Sequence, residues 1–311
     1  MILHTPNYPT GIGSIDLAYM PSTDTWRRLP PNRYPVVSTE AGSQAVWDGT
    51  ELLTFGVQNA ALNPSTGRWR PLAAPPVAAP SVVAWTGSEV LMWGGGCCDE
   101  ATNVGATYDP RTNRWAPMPP SPLAGRHADG VWTRSELIVV GGQAYEDTFF
   151  RDAAAYNPVS RAWRMLPPLP APRLDASLTW TGRELLVVGG QPNFRSVPYA
   201  DGWAYRPSDN AWHALPPMPL GRTQHGAVWT GQYLIVWGGE TRATGTEPYR
   251  APPNGLIYDP SARAWLDLPK APIKARIRAL TFWAADRVLI WGGQGIAEPY
   301  PDFVDGATYA P

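Results

Sequence analysis

The sequence predicts an all-β chain folded as a six-bladed β-propeller, with four antiparallel strands in each blade. Three observations carry this prediction: a repeated Tyr/Trp spacing, a repeated Trp/Gly spacing, and an unusual composition. The 311 residues include 36 Pro, 30 Gly and 16 Trp, and only 16% are charged. This composition suits many short strands joined by tight turns, whereas helices do not tolerate so much proline.

The first signature is a tyrosine followed seven residues later by a tryptophan. A proline stands two residues after the tyrosine position in every copy. The six copies are Tyr19/Trp26, Leu62/Trp69, Tyr108/Trp115, Tyr156/Trp163, Tyr205/Trp212 and Tyr258/Trp265. We expect the tyrosine on the third strand of a blade and the tryptophan on the fourth, with the proline in the turn between them.

The second signature is a tryptophan that stands nine residues before a glycine. Its six copies are Trp47/Gly56, Trp85/Gly94, Trp132/Gly141, Trp180/Gly189, Trp229/Gly238 and Trp283/Gly292. Five of these glycines begin a Gly-Gly pair, and the first copy lacks the second glycine. A short turn after each tryptophan leads to an apolar run such as ELLVV. We expect this run to be a second strand that is buried on both faces.

The two signatures together define six units, and a ring of such four-stranded units is a β-propeller. Their inner strands and glycines lie near 44–57, 82–95, 129–142, 177–190, 226–239 and 280–293. We expect residues 1–311 to form a single domain. We also expect the ring to close by pairing of the N-terminal segment with C-terminal strands in one shared blade. Both IDLAYMP and GATYAP resemble a third strand, which leaves open which segment completes that blade.

In the order ELLVVGG, YNP, W-x-x-LPPLP and PR, the repeats resemble the Kelch family over nearly the whole chain. The resemblance implies a β-propeller that binds a protein, a peptide or a glycan through variable loops. An enzyme is the alternative, because Kelch-like propellers include a sialic-acid mutarotase and galactose-oxidase-like copper enzymes. The radical site of those copper enzymes cannot be traced in this chain residue by residue. The fold alone does not decide between the two functions.

Four arginines stand in the loops that link one blade to the next. They are Arg126, Arg173, Arg222 and Arg276. The linking loops and the variable second-to-third loops should emerge on one face, at the mouth of the axial channel. There the guanidinium groups could bind a carboxylate, for example that of an anionic sugar. Alternatively, they donate hydrogen bonds to backbone carbonyls between blades.

Further polar residues are expected at the same face. Directly after the Gly-Gly pairs stand Gln143, Gln191, Glu240 and Gln294, which could line the channel mouth or bridge blades. Two histidines, His127 and His225, lie in linking loops. Together with the cysteines they could ligate copper or another transition metal. The two histidines lead into different blades, however, and we predict no resident cofactor.

The chain has only two cysteines, Cys97 and Cys98, and they are adjacent. They begin the second-to-third loop of the second unit. In an oxidising compartment adjacent cysteines can form a vicinal disulfide, which would stiffen this loop. Free thiols and metal ligation are the alternatives.

Charge and hydropathy exclude some classes of partner. The net charge is -1 and the arginines are scattered, so no basic face for nucleic acid is visible. No run of about 18 apolar residues predicts membrane insertion. We expect a monomer, with a mild preference for an extracytoplasmic location and a leader absent from this chain. The resemblance to the Kelch family makes a binding module the leading hypothesis.

Overall fold

The computed structural model describes residues 2–5, 15–20, 22–31, 44–56, 59–77, 79–96, 101–145, 147–252 and 254–311. All regular secondary structure in this part of the chain is β-strand. It contains no helix long and apolar enough to cross a membrane. The chain divides into two compact units. The first is Met1–Val139, Gln143–Thr148 and Ala154–Met165; the second is Val140–Gly142, Phe149–Ala153 and Leu166–Pro311.

The first unit contains an N-terminal sheet, the sheets of the first two repeats and most of the third. The N-terminal sheet is β1 (Ile2–Thr5), β2 (Ile15–Met20) and β3 (Thr25–Arg28). The next two are β4 (Gln44–Trp47), β5 (Leu52–Phe55), β6 (Ala60–Asn63) and β7 (Arg68–Pro71), then β8 (Val82–Trp85), β9 (Val90–Trp93), β10 (Gly105–Asp109) and β11 (Arg114–Pro117). The third repeat has β12 (His127–Trp132), β13 (Leu137–Ala144), β15 (Ala153–Asn157) and β16 (Ala162–Leu166), with β14 (Thr148–Phe149) paired to β13.

The second unit contains the sheets of the last three repeats. They are β17 (Ser177–Trp180), β18 (Leu185–Val188), β19 (Gly202–Arg206) and β20 (Ala211–Ala214); β21 (Thr223–Trp229), β22 (Leu234–Glu240), β23 (Leu256–Asp259) and β24 (Ala264–Asp267); and β25 (Leu280–Ala284), β26 (Arg287–Trp291) and β27 (Gly306–Tyr309). Consecutive strands within each sheet are antiparallel neighbours.

The predicted fold class is confirmed: the chain is an all-β, six-bladed β-propeller, and each repeat forms one blade. The predicted strand count holds for the first five blades, whereas the sixth has three strands among the described residues. We expected the N-terminal and C-terminal segments to pair in one closing blade, and the observed strand pairing is different. Within the described part, β2 pairs with β1 and β3, and β27 pairs with β26. The segments IDLAYMP and GATYAP thus belong to two separate sheets, with β2 as the middle strand of one and β27 as the third strand of the other.

The Tyr/Trp signature joins strands within a blade and blades to each other. Tyr108 on β10 lies opposite Trp115 on β11, with ring centroids 4.9 Å apart. The indole Nε1 of Trp115 donates to the carbonyl of Ala73, which follows the preceding blade, at 2.9 Å. Trp69 makes the same kind of contact with Pro30 O at 2.9 Å, which joins the segment after β3 to β7. These tryptophans are scaffold residues.

The second strands of the blades form the core, as their apolar runs predict. All four residues of β9 and all four of β18 are buried. They pack against apolar side chains of the neighbouring sheet, as Leu91 does in a cluster with Leu137 and Val139 of β13. Full burial of one such side chain contributes roughly 1.5–3 kcal/mol. The sheets therefore hold the loops at their ends on a rigid base.

Candidate functional site

Linking loops and second-to-third loops meet at one end of the last three blades, as predicted. The residue after each Gly-Gly pair there forms an antiparallel pair with the residue after the linking-loop arginine. The three pairs are Leu174 with Gln191, Thr223 with Glu240, and Ile277 with Gln294. Because of this pairing, the linking loop of each of these blades lies beside the start of the second-to-third loop of the same blade. All of these residues belong to the second unit.

The next residue in each linking loop adopts a left-handed backbone conformation. The φ angles are 52° at Asp175, 54° at Gln224 and 54° at Arg278. The Gln224 N–H donates to Asp175 O at 3.1 Å, and the Arg278 N–H donates to Gln224 O at 2.9 Å. Non-glycine residues seldom adopt this conformation, and it concentrates at functional sites. Three neighbouring blades thus present a carboxylate, an amide and a guanidinium in one row.

Glu240 completes a group that we name the inner polar cluster: Asp175, Gln224, Glu240 and Arg278. Gln224 Nε2 donates to Glu240 Oε1 at 3.3 Å. The Glu240 side chain is 9% exposed. Burial, and next the charge of Asp175, raises the pKa of Glu240, while Arg278 and Arg242 oppose this shift. The carboxyl group therefore holds its proton to a higher pH than an ordinary glutamate does.

One acceptor in the inner polar cluster has no hydrogen-bond partner in the described part of the chain. Gln224 Oε1 is buried and accepts no hydrogen bond from any residue that the structure describes. Asp175 and Gln224 themselves are half-buried, and Arg278 is exposed, so the cluster is open to solvent at its edge. An unpaired buried acceptor costs about 1–3 kcal/mol, which a donor from a bound molecule would recover.

The second-to-third loops of blades 4 and 5 form a wall next to this cluster. Tyr249 donates its hydroxyl to Gln191 Oε1 at 2.8 Å. Arg242 stacks on Tyr249, with the guanidinium carbon 4.3 Å from the ring centroid. Phe194 is 48% exposed beside them, and its ring meets the Phe149 ring edge-on at a centroid distance of 5.9 Å. The wall thus combines polar groups with an exposed aromatic ring.

The four predicted arginines lie inside the blades. Their exposures are 0% for Arg126, 3% for Arg173, 1% for Arg222 and 0% for Arg276. Each of them donates to a backbone carbonyl. For Arg173, Arg222 and Arg276 this carbonyl belongs to the first glycine of the Gly-Gly pair in the same blade. Arg173 and Arg276 also pair with Asp201 and Asp305. This placement favours the scaffold alternative over ligand contact, although the carbonyls lie within a blade rather than between blades.

The two predicted histidines occupy different environments. His127 is exposed at the start of β12. His225 is 8% exposed, and its Nε2 lies 3.0 Å from Ser177 Oγ. Burial, and next the charge of Arg222, lowers the pKa of His225 to about 3. His225 is therefore a neutral core residue near pH 7.

Of the remaining predicted residues, two lie at the site and the others lie elsewhere in the chain. Gln191 and Glu240 are at the site. Gln294 lies in blade 6 with its Nε2 3.4 Å from Asp302 Oδ1, and Gln143 is half-buried on β13. Cys97 and Cys98 lie outside the described residues. The described part holds no group of three or more His, Cys, Asp or Glu side chains suited to a metal ion.

Six residues of the site are not among those predicted from the sequence, namely Asp175, Gln224, Arg278, Arg242, Tyr249 and Phe194. A signal for the first three was present, because each stands two residues after a linking-loop arginine. It was overlooked because the three residue types differ. Arg242 stands two residues after Glu240, in a loop without any repeated feature.

Comparisons with known proteins support the fold. A solved structure titled "Structure of YjhT" superposes with a TM-score of 0.69 at 15% sequence identity, covering 90% of this chain and 96% of that one. At this identity the likeness concerns the fold alone. No curated protein sequence matches the chain. The family model described as Attractin/LZTR1 beta-propeller matches residues 73–296, which is more than half of the chain. The chain is thus a Kelch-type propeller and belongs to the Attractin/LZTR1 beta-propeller family.

Proposed function

We propose that the protein is a binding module whose inner polar cluster takes a glycan. The observation that carries this proposal is the buried Gln224 Oε1, which accepts no hydrogen bond from any described residue although the same amide donates to the Glu240 carboxylate. Such a site has an excess of acceptors and needs a ligand that donates hydrogen bonds. Arg278 at the edge supplies donors only. Sugar hydroxyls both donate and accept, so they suit all four side chains.

The exposed Phe194 ring favours a glycan over a peptide. A pyranose ring has an apolar face of C–H groups, and an aromatic ring next to polar side chains can cover that face. Sites for small ligands combine apolar and aromatic surface with a few polar groups in this way. Phe194 lies on the loop that Tyr249 contacts, since the Tyr249 hydroxyl is also 3.3 Å from Phe194 O.

Replacing Gln224 with alanine should lower glycan affinity about tenfold, which corresponds to about 1.4 kcal/mol. The variant loses the amide that donates to Glu240 and that offers the unpaired acceptor. Calorimetry with tetrasaccharides of mannose, N-acetylglucosamine and galacturonic acid would measure the affinity and separate neutral, acetamido and anionic sugars. Gln232→Ala is the control, because Gln232 is exposed in the turn before β22 and donates to the Tyr233 hydroxyl.

Two results would contradict the proposal. One is that none of the three tetrasaccharides binds with a Kd below about 1 mM. The other is that Gln224→Ala and Gln232→Ala bind as the unchanged protein does. Capture of a peptide from a displayed library, lost in Gln224→Ala, would assign the same site to a peptide instead.

An enzyme is the second candidate, and the raised pKa of Glu240 favours it. A carboxyl group whose pKa is raised gives up its proton at a pH closer to neutral, and it can act as a general acid toward a bound sugar. Glu240→Gln should then retain binding and lose turnover, because the amide keeps the shape but transfers no proton. NMR spectra of each sugar, recorded with and without the protein, would detect a chemical change. Equal spectra over time in both samples would exclude turnover of these sugars.

A further inference from the structure

Arg242 joins the second-to-third loops of blades 4 and 5. Its side chain is only 7% exposed, although it follows the Gly-Gly pair of blade 5 by three residues and belongs to a loop. The guanidinium Nη2 donates to Phe194 O at 3.0 Å and to Ser196 O at 2.9 Å, and Nε donates to Ser196 O at 3.2 Å. Both acceptors belong to the loop of blade 4. A single side chain thus satisfies two carbonyls of the neighbouring loop.

The loop that Arg242 holds is itself a compact turn. Asn193 Oδ1 accepts from the Arg195 N–H at 2.8 Å and from Ser196 Oγ at 3.0 Å. The Tyr199 N–H donates to Gly190 O at 2.7 Å and closes the base of the loop. These bonds shape the turn locally, whereas Arg242 makes three of the side-chain hydrogen bonds that reach the turn from blade 5 and the Tyr249 hydroxyl adds a longer one, at 3.3 Å to Phe194 O. The position of the turn against blade 5 therefore depends on Arg242.

The loop of blade 5 is ordered around the same side chain. Thr241 and Arg250 form an antiparallel bridge, in which each N–H donates to the other's carbonyl, at 2.9 and 2.8 Å. This bridge places Tyr249 under the Arg242 guanidinium, and the Tyr249 hydroxyl reaches Gln191. A planar guanidinium can donate in its plane and stack on a ring at the same time, which an ammonium group cannot do equally well.

We infer that Arg242 is a positioning residue for the proposed glycan site. It locks the two loops into one wall, and it thereby fixes the Phe194 ring and the Tyr249 hydroxyl beside the inner polar cluster. The role in binding rests on the proposed function; the role in ordering the loops rests on the contacts alone. Pre-ordering a wall of this kind lowers the entropy that a ligand would otherwise have to remove.

The test uses Arg242→Ala and Arg242→Lys in the full chain. Lysine keeps the charge but cannot donate to both carbonyls while it stacks on Tyr249. We expect amide hydrogen exchange across residues 193–199 to become at least about tenfold faster in both variants, with β18 and β19 unchanged. Affinity for the tetrasaccharide that the unchanged protein binds best should fall about tenfold. Tyr249→Phe, which removes only the hydroxyl, should show a smaller change of the same sign.

Arg263→Ala is the matched control. Arg263 Nη2 donates to Ala214 O at 3.2 Å, so it too joins blades 5 and 4 through a guanidinium and a carbonyl, but next to the outer strands. A merely structural role for Arg242 predicts that the two alanine variants lose thermal stability alike and bind sugar alike. The positioning role predicts that only the Arg242 variants exchange faster at 193–199 and lose affinity.

The outcomes separate this inference from the proposed function. If Gln224→Ala loses affinity while Arg242→Lys binds and exchanges as the unchanged protein does, the glycan site stands and the positioning role is overturned. If no tetrasaccharide binds the unchanged protein, the glycan proposal fails together with the role of Arg242 in glycan binding. The exchange rates at 193–199 still decide whether Arg242 orders the loop, and unchanged rates would overturn that part as well.

Discussion

Replacing Arg276 with alanine should lower the free energy of unfolding by about 2–4 kcal/mol, because the carbonyls that it satisfies inside the blade lose their donors at about 1–3 kcal/mol each. The Arg276 side chain is fully buried. Its Nε donates to Lys274 O at 2.8 Å, and its Nη1 donates to Gly292 O at 3.0 Å and to Asp305 Oδ1 at 2.5 Å. The guanidinium also lies 4.0 Å from the Phe303 ring centroid. Urea denaturation would measure the loss.

Arg111→Ala is the control for this experiment. Arg111 forms an ion pair with Asp109 at 3.1 Å, but its side chain is 80% exposed, so we expect no measurable change in stability. A loss below about 1 kcal/mol in Arg276→Ala would contradict the scaffold role. If glycan affinity were lost at the same time, Arg276 would contact the ligand, which is the first of the two roles that the sequence predicts for the linking-loop arginines.

The arginines of blades 4, 5 and 6 are not equivalent. Arg173 pairs with Asp201 and Arg276 with Asp305, whereas the matching residue for Arg222 is Asn254, which offers its carbonyl at 3.1 Å. Within the described residues Arg222 Nε has no acceptor. Burial lowers the pKa of Arg222 to about 10, and the charge of Asp267 opposes this shift only in part. Among the described residues, the buried guanidinium of Arg222 in blade 5 therefore forms no ion pair with a carboxylate.

The sequence predicts the fold well because the residues that build it recur at fixed spacing. Each tyrosine and tryptophan must meet across two strands, as Tyr258 and Trp265 do with ring centroids 5.1 Å apart, so their separation cannot vary. The closing blade could not be predicted in the same way. Strand pairing between distant segments depends on which edges meet, and the local pattern of IDLAYMP or GATYAP does not contain that information.

The site is predicted only in part, for a related reason. Gln191 and Glu240 were found because they follow the paired glycines. Asp175, Gln224 and Arg278 share a backbone conformation, not a residue type, and a left-handed φ at a non-glycine residue leaves no mark in the sequence. The linking-loop arginines drew attention by their charge, although burial, which sequence does not report, places them in the blades.

Acidification should destabilise the protein through His225. Its pKa in the folded chain is about 3, below the ordinary value of 6.5, because the ring is buried beside Ser177 and near the unpaired charge of Arg222. Between these two values the unfolded chain binds a proton that the folded chain does not. The free energy of unfolding therefore falls as pH falls, by up to about 1.4 kcal/mol per pH unit. Between about pH 7 and pH 4 the loss from this one residue should be about 3 kcal/mol.

The comparison of unchanged protein with His225→Gln isolates this contribution, because the carboxylates titrate in both. Glutamine can still hydrogen-bond to Ser177 and does not ionise, so the variant should lose about 3 kcal/mol less between the two pH values, measured by urea denaturation. His213→Gln is the control, since His213 lies at the surface 2.9 Å from Asp209 and its loss leaves the buried ring in place. Equal pH dependence in the unchanged protein and His225→Gln would mean that the ring is protonated in the folded chain, with Ser177 accepting from it. The buried guanidinium of Arg222 would then lie beside a second positive charge, that of His225. This arrangement would require a further hydrogen-bond acceptor for one of the two side chains, beyond those that they contact in the described structure.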